Sequence, residues 1–327
     1  MPILSYEEVL KELAENNPGK KKNLLLGNGF SRVFANDAFS YSSLFDKAKE
    51  SFNKNILSVF TKVGETNFER ALKTYDDALW LMEKYGEKIS DNSQKDRDQV
   101  RTTLIDIISQ NHPDDQNFLT DVAKEKTFQF LEQYSNIFTT NYDLILYWIL
   151  LYKLSTKGSW DDGFRRNNDI LEFTGFREEF CLYYLHGALH LVRHQDNLKK
   201  LSWKSGQDKL KNLVTTSISD GTYPVFVAEG DWEKKLNHIS KDYYLRTCFD
   251  SLGKLDGALV VFGHSLNPTY DRHILDKIAS APHIDRIYIG VYGSRIERDY
   301  AELLKYLEPL PVYKKIQFYQ SETITLV

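Results

Sequence analysis

The chain has 327 residues, of which 42% are hydrophobic and 13% aromatic, a composition that allows a large packed core and excludes a disordered protein. Its 42 basic and 46 acidic residues give a formal net charge of -4 without a long basic block, so no direct nucleic-acid partner is expected. The longest apolar run, Leu144 to Tyr152, is far shorter than the about 20 residues that cross a bilayer, so no membrane association is expected either.

The N-terminal segment predicts a short amphipathic helix, because Ser5 and Glu8 have the spacing of a capping box. It contains no apolar signal core followed by a small-residue cleavage site, which predicts a cytoplasmic protein. The two cysteines, Cys181 and Cys248, can supply neither a disulfide framework nor a four-thiolate zinc site. We therefore expect both to be reduced thiols in the core.

Short runs of apolar and aromatic residues, bounded by turn residues, predict the β-strands. Most are apolar at successive positions, as expected of strands that are covered on both faces. This pattern favours a doubly wound, Rossmann-like α/β fold with a mostly parallel sheet of about six strands. In chain order the runs are NLLLGNG, NIFTTNYD, CLYYLHG, YPVFVAEG, ALVVFGHS, RIYIGVYG and KIQFYQS.

Residues 41–134, which follow the first strand, show apolar residues at helical spacing and no convincing strand. We interpret them as a helical insertion into an α/β domain that consists of residues 1–40 and 135–327. The polar stretch 157–169 and the lysine-rich stretch 196–212 are expected to be surface excursions.

The first strand ends in Gly27-Asn28-Gly29, followed by Phe30 and Ser31 at the start of a predicted helix. Backbone N-H groups and a helix N-terminus at the edge of a sheet bind phosphate well, and glycine lets a diphosphate approach the backbone. The alternative is an ordinary strand-to-helix turn. A standard nicotinamide dehydrogenase is not expected, because Arg32 occupies the place of its third glycine and no second strand with a terminal acid follows.

Polar residues also follow three later strands, in FTTNYD, YYLHGALH and VVFGHSL. Sheets of this type build their sites at the carboxyl ends of their strands. Taken in this order, the four strand ends resemble the sirtuin family, whose motifs are a Gly-Ala-Gly-x-Ser loop, Thr-Gln-Asn-Ile-Asp, His-Gly and Gly-Thr-Ser. The matching positions are Gly27, Gly29 and Ser31; Thr139, Asn141 and Asp143; His186 and Gly187; and Gly263 and Ser265.

The resemblance implies an NAD-binding domain, and it is closest to the sirtuin-like NAD hydrolases of bacterial antiphage defence systems. Sirtuin deacylases carry a four-cysteine zinc module and a Gly-Ile-Pro-Asp-Phe-Arg segment after the first loop, and this chain has neither. Water is therefore the expected acceptor in place of an acyl-lysine. The resemblance implies that the reaction is NAD cleavage at the nicotinamide-ribose bond, with NAD as substrate and no metal.

On this interpretation Asn141 positions the water or the ribose, and His186, as a neutral imidazole, accepts a proton. Each residue also has a structural interpretation: a turn for Asn141, a helix cap for Asp143, a strand-end histidine for His186 and a solvent contact for His264. The residues expected to bind NAD are Gly27, Asn28, Gly29, Phe30, Ser31, Thr140, Asp143, Gly263, His264 and Ser265.

Other functions stay open. The alternative to an enzyme is a sensor or scaffold subunit that binds NAD or ADP-ribose without turnover in a defence complex. The histidines His186, His190 and His194 suggest a metal stripe, but Gly187 separates the first from the others. A metallophosphoesterase would need acidic ligands at the first strand end, where Gly-Asn-Gly stands. Because uncontrolled NAD hydrolysis would kill the host, an activating partner protein or self-assembly is expected.

Overall fold

The structure, a computed structural model, describes residues 3–16, 19–64, 66–87, 90–152, 160–168, 170–194, 197–202, 209–293 and 300–327. Within these ranges no helix combines the length and the apolar character that crossing a membrane requires. Both cysteines are buried and free, as expected.

Strands and helices largely alternate near the two ends of the chain, but the described elements in residues 41–131 are all helices and those in residues 164–200 are all strands. The strands are β1 (Ile3–Leu4), β2 (Lys22–Leu26), β3 (Asn136–Thr139), β4 (Phe164–Asn167), β5 (Ile170–Phe173), β6 (Cys181–Tyr184), β7 (Gly187–His194), β8 (Asn197–Lys200), β9 (Pro224–Phe226), β10 (Asp256–Phe262), β11 (His283–Val291) and β12 (Ile316–Gln320). The helices are α1 (Tyr6–Asn16), α2 (Asn28–Phe39), α3 (Tyr41–Ala48), α4 (Lys54–Val63), α5 (Phe68–Lys84), α6 (Asp91–Asn111), α7 (Asp121–Leu131), α8 (Ile145–Tyr152), α9 (Leu210–Ser219), α10 (Trp232–Lys241), α11 (Tyr243–Leu252), α12 (Pro268–Ala279) and α13 (Ala301–Leu307).

The main sheet is parallel and has the order β1-β12-β11-β10-β2-β3-β6. Successive residues Leu24, Leu25 and Leu26 of β2 are fully buried, because helices cover both faces of the sheet. The prediction of a Rossmann-like α/β fold is confirmed. The sheet has seven strands and not six, because the short strand β1 pairs with β12 at the edge.

A second, five-stranded antiparallel sheet has the order β4-β5-β8-β7-β9 and was not predicted. The run YPVFVAEG, expected in the main sheet, forms β9 and pairs with β7. The stretches 157–169 and 196–212 were predicted to be surface excursions, but they contain β4 and β8. Their residues 157–159, 169, 196 and 203–208 lie outside the described residues.

The segment between α2 and β3 is helical, as its apolar spacing predicted, and contains α3 to α7. It packs onto the rest of the chain at close range: a Cβ on Gly230 would lie 1.9 Å from the backbone nitrogen of Lys73 in α5. The predicted capping box of α1 is confirmed, since the Ser5 N-H donates to Glu8 Oε2 at 2.7 Å and the Glu8 N-H donates to Ser5 Oγ at 3.2 Å. The division into a domain and an insertion remains a prediction.

Candidate active site

The candidate site lies where the strand order reverses. From β2 the chain builds β3 and β6 on one side, and it later returns to build β10, β11 and β12 on the other. Connections therefore leave the carboxyl ends of the neighbouring strands β2 and β10 in opposite directions. In open parallel sheets this arrangement leaves a crevice at the carboxyl edge, which is where such folds bind dinucleotides.

The glycines that follow β2 and β10 let the two loops touch. Gly263 has a φ of +68°, and a Cβ on Gly29 would lie 2.6 Å from its Cα. The N-H of Gly27 donates to Phe262 O at 3.0 Å, and that of Gly29 donates to Gly263 O at 2.8 Å. These two amides are therefore occupied by protein, which differs from the sequence-based reasoning that they face a phosphate. At the first position of α2, the N-H of Asn28 has no partner among the described residues.

Ser31 joins the first loop to the end of β3. Its hydroxyl donates to Asp143 Oδ2 at 2.5 Å and accepts from Asn141 Nδ2 at 2.9 Å. The same Asn141 nitrogen donates to Gly27 O at 2.9 Å, so both of its N-H bonds are used and the buried Oδ1 has no partner among the described residues. Two hydrogen bonds, to the loop after β2 and to α2, thus fix the amide of Asn141, and its acceptor oxygen stays unused by the described residues.

Asp143 also caps α8, because its Oδ1 accepts from the Ile145 N-H at 2.9 Å. Burial raises the pKa of Asp143, while the hydrogen bonds from Ser31 and Ile145 act in the opposite direction. The structural interpretation of Asp143 as a helix cap is therefore correct for one of its oxygens. The other oxygen holds Ser31.

A cavity of about 660 Å³ lies over this crevice. Its wall includes residues of the helical segment 41–131, among them Leu44, Glu69 and Leu104, and residues that follow β12, among them Glu322. Gly27, Phe30 and Ser31 do not line it; Phe30 and Ser31 are fully buried behind it. The other residues predicted to form the site line the cavity: Asn28, Gly29, Thr140, Asn141, Asp143, His186, Gly263, His264 and Ser265.

His186 lies between β6 and β7. Gly187 follows with a φ of +82°, and a Cβ there would lie 2.0 Å from Val225 O, so glycine lets β9 pack against this turn. Nε2 of His186 is 3.1 Å from Nε2 of His273 in α12, and the two rings are inclined by only 20°. Burial holds the pKa of His186 well below its usual range, and the Lys235 ammonium lowers it further.

A buried ion network lies beside the two histidines. The Lys235 ammonium, in a side chain with no exposed area, is 2.6 Å from Glu69 Oε1 and 3.2 Å from Asp271 Oδ1. Burial alone would lower the pKa of Lys235, but the two carboxylates outweigh it and raise the pKa. Burial alone would raise the pKa of Asp271, but Lys235 and the nearby histidines outweigh it and lower the pKa. Lys235 and Asp271 therefore stay ionised.

A family model described as "Domain of unknown function (DUF4917)" matches residues 24–326. The chain belongs to the DUF4917 family. No curated protein matches it. Among solved structures, the chain is similar to one described as "Structure of Sir2Tm bound to a propionylated peptide", with 10% identity and a TM-score of 0.37 over 98% of this chain and 94% of that chain. At this identity and TM-score the similarity supports no statement about function.

In this DUF4917 chain the residue types that ligate metals meet at one place among the described residues. A ring nitrogen each of His186 and His273 and a carboxylate oxygen of Asp271 lie within 4.8 Å of one another. Zinc accepts such a set, but the Asp271 carboxylate already pairs with the Lys235 ammonium at 3.2 Å. His190 is not part of this group; it is fully buried against Tyr147, with a centroid distance of 4.8 Å. The side chain of His194 lies outside the described residues.

Sequence reasoning missed Glu69, Lys235, Asp271 and His273. Asp271 and His273 follow the Gly263-His264-Ser265 segment closely, so a search one helical turn beyond that motif could have found them. Glu69 and Lys235 carry no such signal, since they lie on helices far apart in the sequence and meet only in the folded chain.

Proposed function

We propose that the cavity binds NAD and that the protein hydrolyses its nicotinamide-ribose bond, giving nicotinamide and ADP-ribose. The observation that carries the proposal is the buried Asn141 amide, whose nitrogen is held by Gly27 O and Ser31 Oγ while its oxygen has no partner in the described part of the chain. A buried polar atom without a partner calls for an explanation, and a bound hydroxyl group or water at the cavity wall supplies one.

The shape and position of the cavity support a dinucleotide. Its volume of about 660 Å³ falls within the range of about 300–1,000 Å³ typical of ligand pockets. It covers the carboxyl ends of β2 and β10, where the sheet reverses direction and Rossmann-like folds bind dinucleotides. The four motifs that resemble sirtuins all contribute to this cavity or to the hydrogen bonds behind it.

Charges and donors along the crevice suit the diphosphate. The N-H of Asn28, which has no partner within the described ranges, begins α2, where the helix dipole favours an anion. Arg32, one turn further along, is the only lysine or arginine among the described residues that line the cavity. The arginine that replaces the third glycine of a dehydrogenase loop would thus contribute the positive charge that this loop otherwise lacks.

The reaction requires positioning more than covalent chemistry, because nicotinamide leaves as a neutral group from a cationic ring. The oxygen of a water forms a bond to the ribose carbon as the carbon-nitrogen bond breaks, and nicotinamide leaves with that electron pair. Asn141 Oδ1 accepts a hydrogen bond from the water or from a ribose hydroxyl. His186 accepts the proton that the water loses and later releases it to solvent.

A second candidate function is binding of NAD or ADP-ribose without turnover, as a sensor or scaffold. The pKa of His186 favours it, since burial holds this pKa well below its usual range and a group so hard to protonate is a weak proton acceptor. The two candidate functions differ in whether nicotinamide is released, and both predict that the protein binds NAD.

We further propose that the enzyme is a cytoplasmic, NAD-depleting effector of antiphage defence that is controlled by a partner protein or by self-assembly. The helical segment 41–131 supplies part of the cavity wall. A partner protein that binds this segment could therefore change the shape of the site. The lysine-rich stretch 196–212 is the other proposed contact surface. Full activity of the isolated monomer at low concentration would contradict this control.

The test pairs NAD affinity by calorimetry with nicotinamide release. His186→Ala and Asn141→Ala should cut turnover roughly 10²- to 10⁴-fold while binding largely survives, because the diphosphate contacts lie on another loop. His283→Ala and Asn55→Ala, which remove the same side chains from exposed positions, are the matched controls. Release that is undiminished in both site variants refutes the mechanism. NAD binding by the wild type without any release, at low and high protein concentration and with candidate partner proteins added, identifies a sensor.

A further inference from the structure

The contact between His186 and His273 limits which ring nitrogens of the two histidines can be protonated. A hydrogen bond between the two Nε2 atoms, 3.1 Å apart, requires a proton on one of them and a lone pair on the other. If His273 supplies the proton, neutral His186 has its own proton on Nδ1 and cannot accept another there. If His186 supplies the proton, its Nδ1 has a free lone pair. Only the second arrangement leaves His186 able to accept a proton from water.

We propose that His273 and Asp271 are positioning residues for NAD cleavage: His273 accepts the Nε2 proton of His186, and Asp271 stabilises the imidazolium that His186 becomes. This inference rests on the proposed function and deepens it. In the step itself, the attacking water gives one proton to His186 Nδ1 as its oxygen bonds to the ribose carbon and nicotinamide leaves with the electron pair. His186 then carries protons on both nitrogens, and it returns the added one to solvent.

His273 has the properties expected of a residue that acts through another. It is 2% exposed and is absent from the cavity wall, so it does not touch a ligand there. Its ring packs against Phe249, with centroids 5.9 Å apart, and its Nδ1 is buried without a partner among the described residues. A buried unpaired nitrogen weakens a fold, so a purely structural role does not explain a histidine at this position.

Among the charged groups near the pair, Asp271 favours a transient cation on His186 and Lys235 opposes it. Glu69 and Asp271 contribute two negative charges and Lys235 one positive charge, which leaves a net charge of -1 beside the two neutral imidazoles. The groups that act on His186 are Lys235 and Asp271, from α10 and α12, with His273 and His264. When His186 gains a proton, the local charges sum to zero. Because Lys235 is held by Glu69, the Asp271 carboxylate is only partly neutralised and can stabilise the imidazolium.

The first test compares His273→Phe, His273→Gln and His190→Phe in the full-length protein, at a protein concentration at which the wild type releases nicotinamide. Phenylalanine keeps the ring but removes the acceptor, so kcat should fall roughly 10- to 100-fold, part of what a positioned proton acceptor contributes, with KM for NAD unchanged. Glutamine can again accept from Nε2 and should restore part of kcat. His190→Phe makes the same change at a buried histidine away from the cavity and should change neither constant.

Wild-type kcat in His273→Phe would overturn the inference while leaving the proposed function intact, and so would a loss expressed in KM alone. A wild type that never releases nicotinamide would overturn both. If His273→Phe does not fold, ¹⁵N spectra of the wild type with labelled histidines decide the point. The chain has eight histidines, and the His186 signal is the one that disappears in His186→Ala. Nδ1 of neutral His186 should carry no proton, and a protonated Nδ1 would overturn the inference.

Discussion

Removing the Ser31 hydroxyl should destabilise the fold, because this fully buried group bonds to both Asn141 and Asp143, which follow β3. Ser31→Ala removes a hydrogen bond of 2.5 Å to the Asp143 carboxylate and one of 2.9 Å from Asn141 Nδ2. A bond to a charged group contributes about 1.5–3 kcal/mol and a neutral one about 0.5–1.5 kcal/mol, so the free energy of unfolding should fall by roughly 2–4 kcal/mol.

The assay is urea unfolding of the wild type, Ser31→Ala and Ser58→Ala near pH 7. Ser58 is exposed on α4, so its replacement by alanine should change the free energy of unfolding by less than about 0.5 kcal/mol. Burial raises the folded-state pKa of Asp143, so ionised Asp143 reduces stability as pH rises through that pKa. Because Ser31 opposes this shift, the effect of Ser31→Ala should shrink in acid. Equal losses from both serines, or a loss that grows in acid, would refute the reasoning.

Gly263→Ala should destabilise the protein by more than Gly86→Ala, although both glycines have a φ of +68°. A Cβ on Gly263 would lie 2.5 Å from a backbone nitrogen, whereas a Cβ on Gly86 would meet nothing within 4 Å. Equal melting temperatures of the two variants would refute the close packing of the loops after β2 and β10. Lys235→Met should lower the free energy of unfolding by about 3–5 kcal/mol in urea, because it leaves the buried Asp271 and the part-buried Glu69 without their cation. Burial lowers the pKa of His112 to about 4, so stability should fall as pH drops from about 6.5 through 4, and a His112→Gln variant should lose this dependence in pH-resolved unfolding.

The parallel sheet could be predicted from the sequence because its strands are apolar on both faces. Leu24, Leu25 and Leu26 follow one another in β2. Val260 and Val261 follow one another in β10 and pair in register with Leu24 and Leu25. The second sheet could not be predicted in the same way. Its β4 and β8 are short and half-exposed, and their arginines and lysines are typical of loops. The apolar run of β9 indicates a buried strand but contains no information about which sheet includes it.

For the site, the sequence predicted which residues lie together, but it did not predict what the glycines of the first loop contact. The polar residues after β2, β3, β6 and β10 do lie at one crevice, since the carboxyl ends of parallel strands share an edge. Gly27 and Gly29 were expected to make room for a diphosphate, but their missing Cβ atoms make room for Gly263 and His264. Lys235 could not be found at all: it stands in WEKKLNHISK, a helix whose charges suggest a solvated face, and its partner Glu69 is 166 residues away.

The helical segment 41–131 and the second sheet are absent from a simple Rossmann domain, and each contacts residues of the candidate site. The helical segment 41–131 supplies Glu69, which fixes Lys235 beside Asp271. The second sheet supplies β9, after which the Val227 N-H donates to His186 O at 3.0 Å, and Phe226 of β9 stacks on Tyr142 at 3.7 Å between ring centroids. The helical segment lines the cavity and supplies the charge of Glu69, and Ala228, which follows β9, lines it from the other part. A partner that shifts the helices can therefore change the ion network beside His186 without touching the sheet, which makes these helices the place where control of the proposed reaction should act.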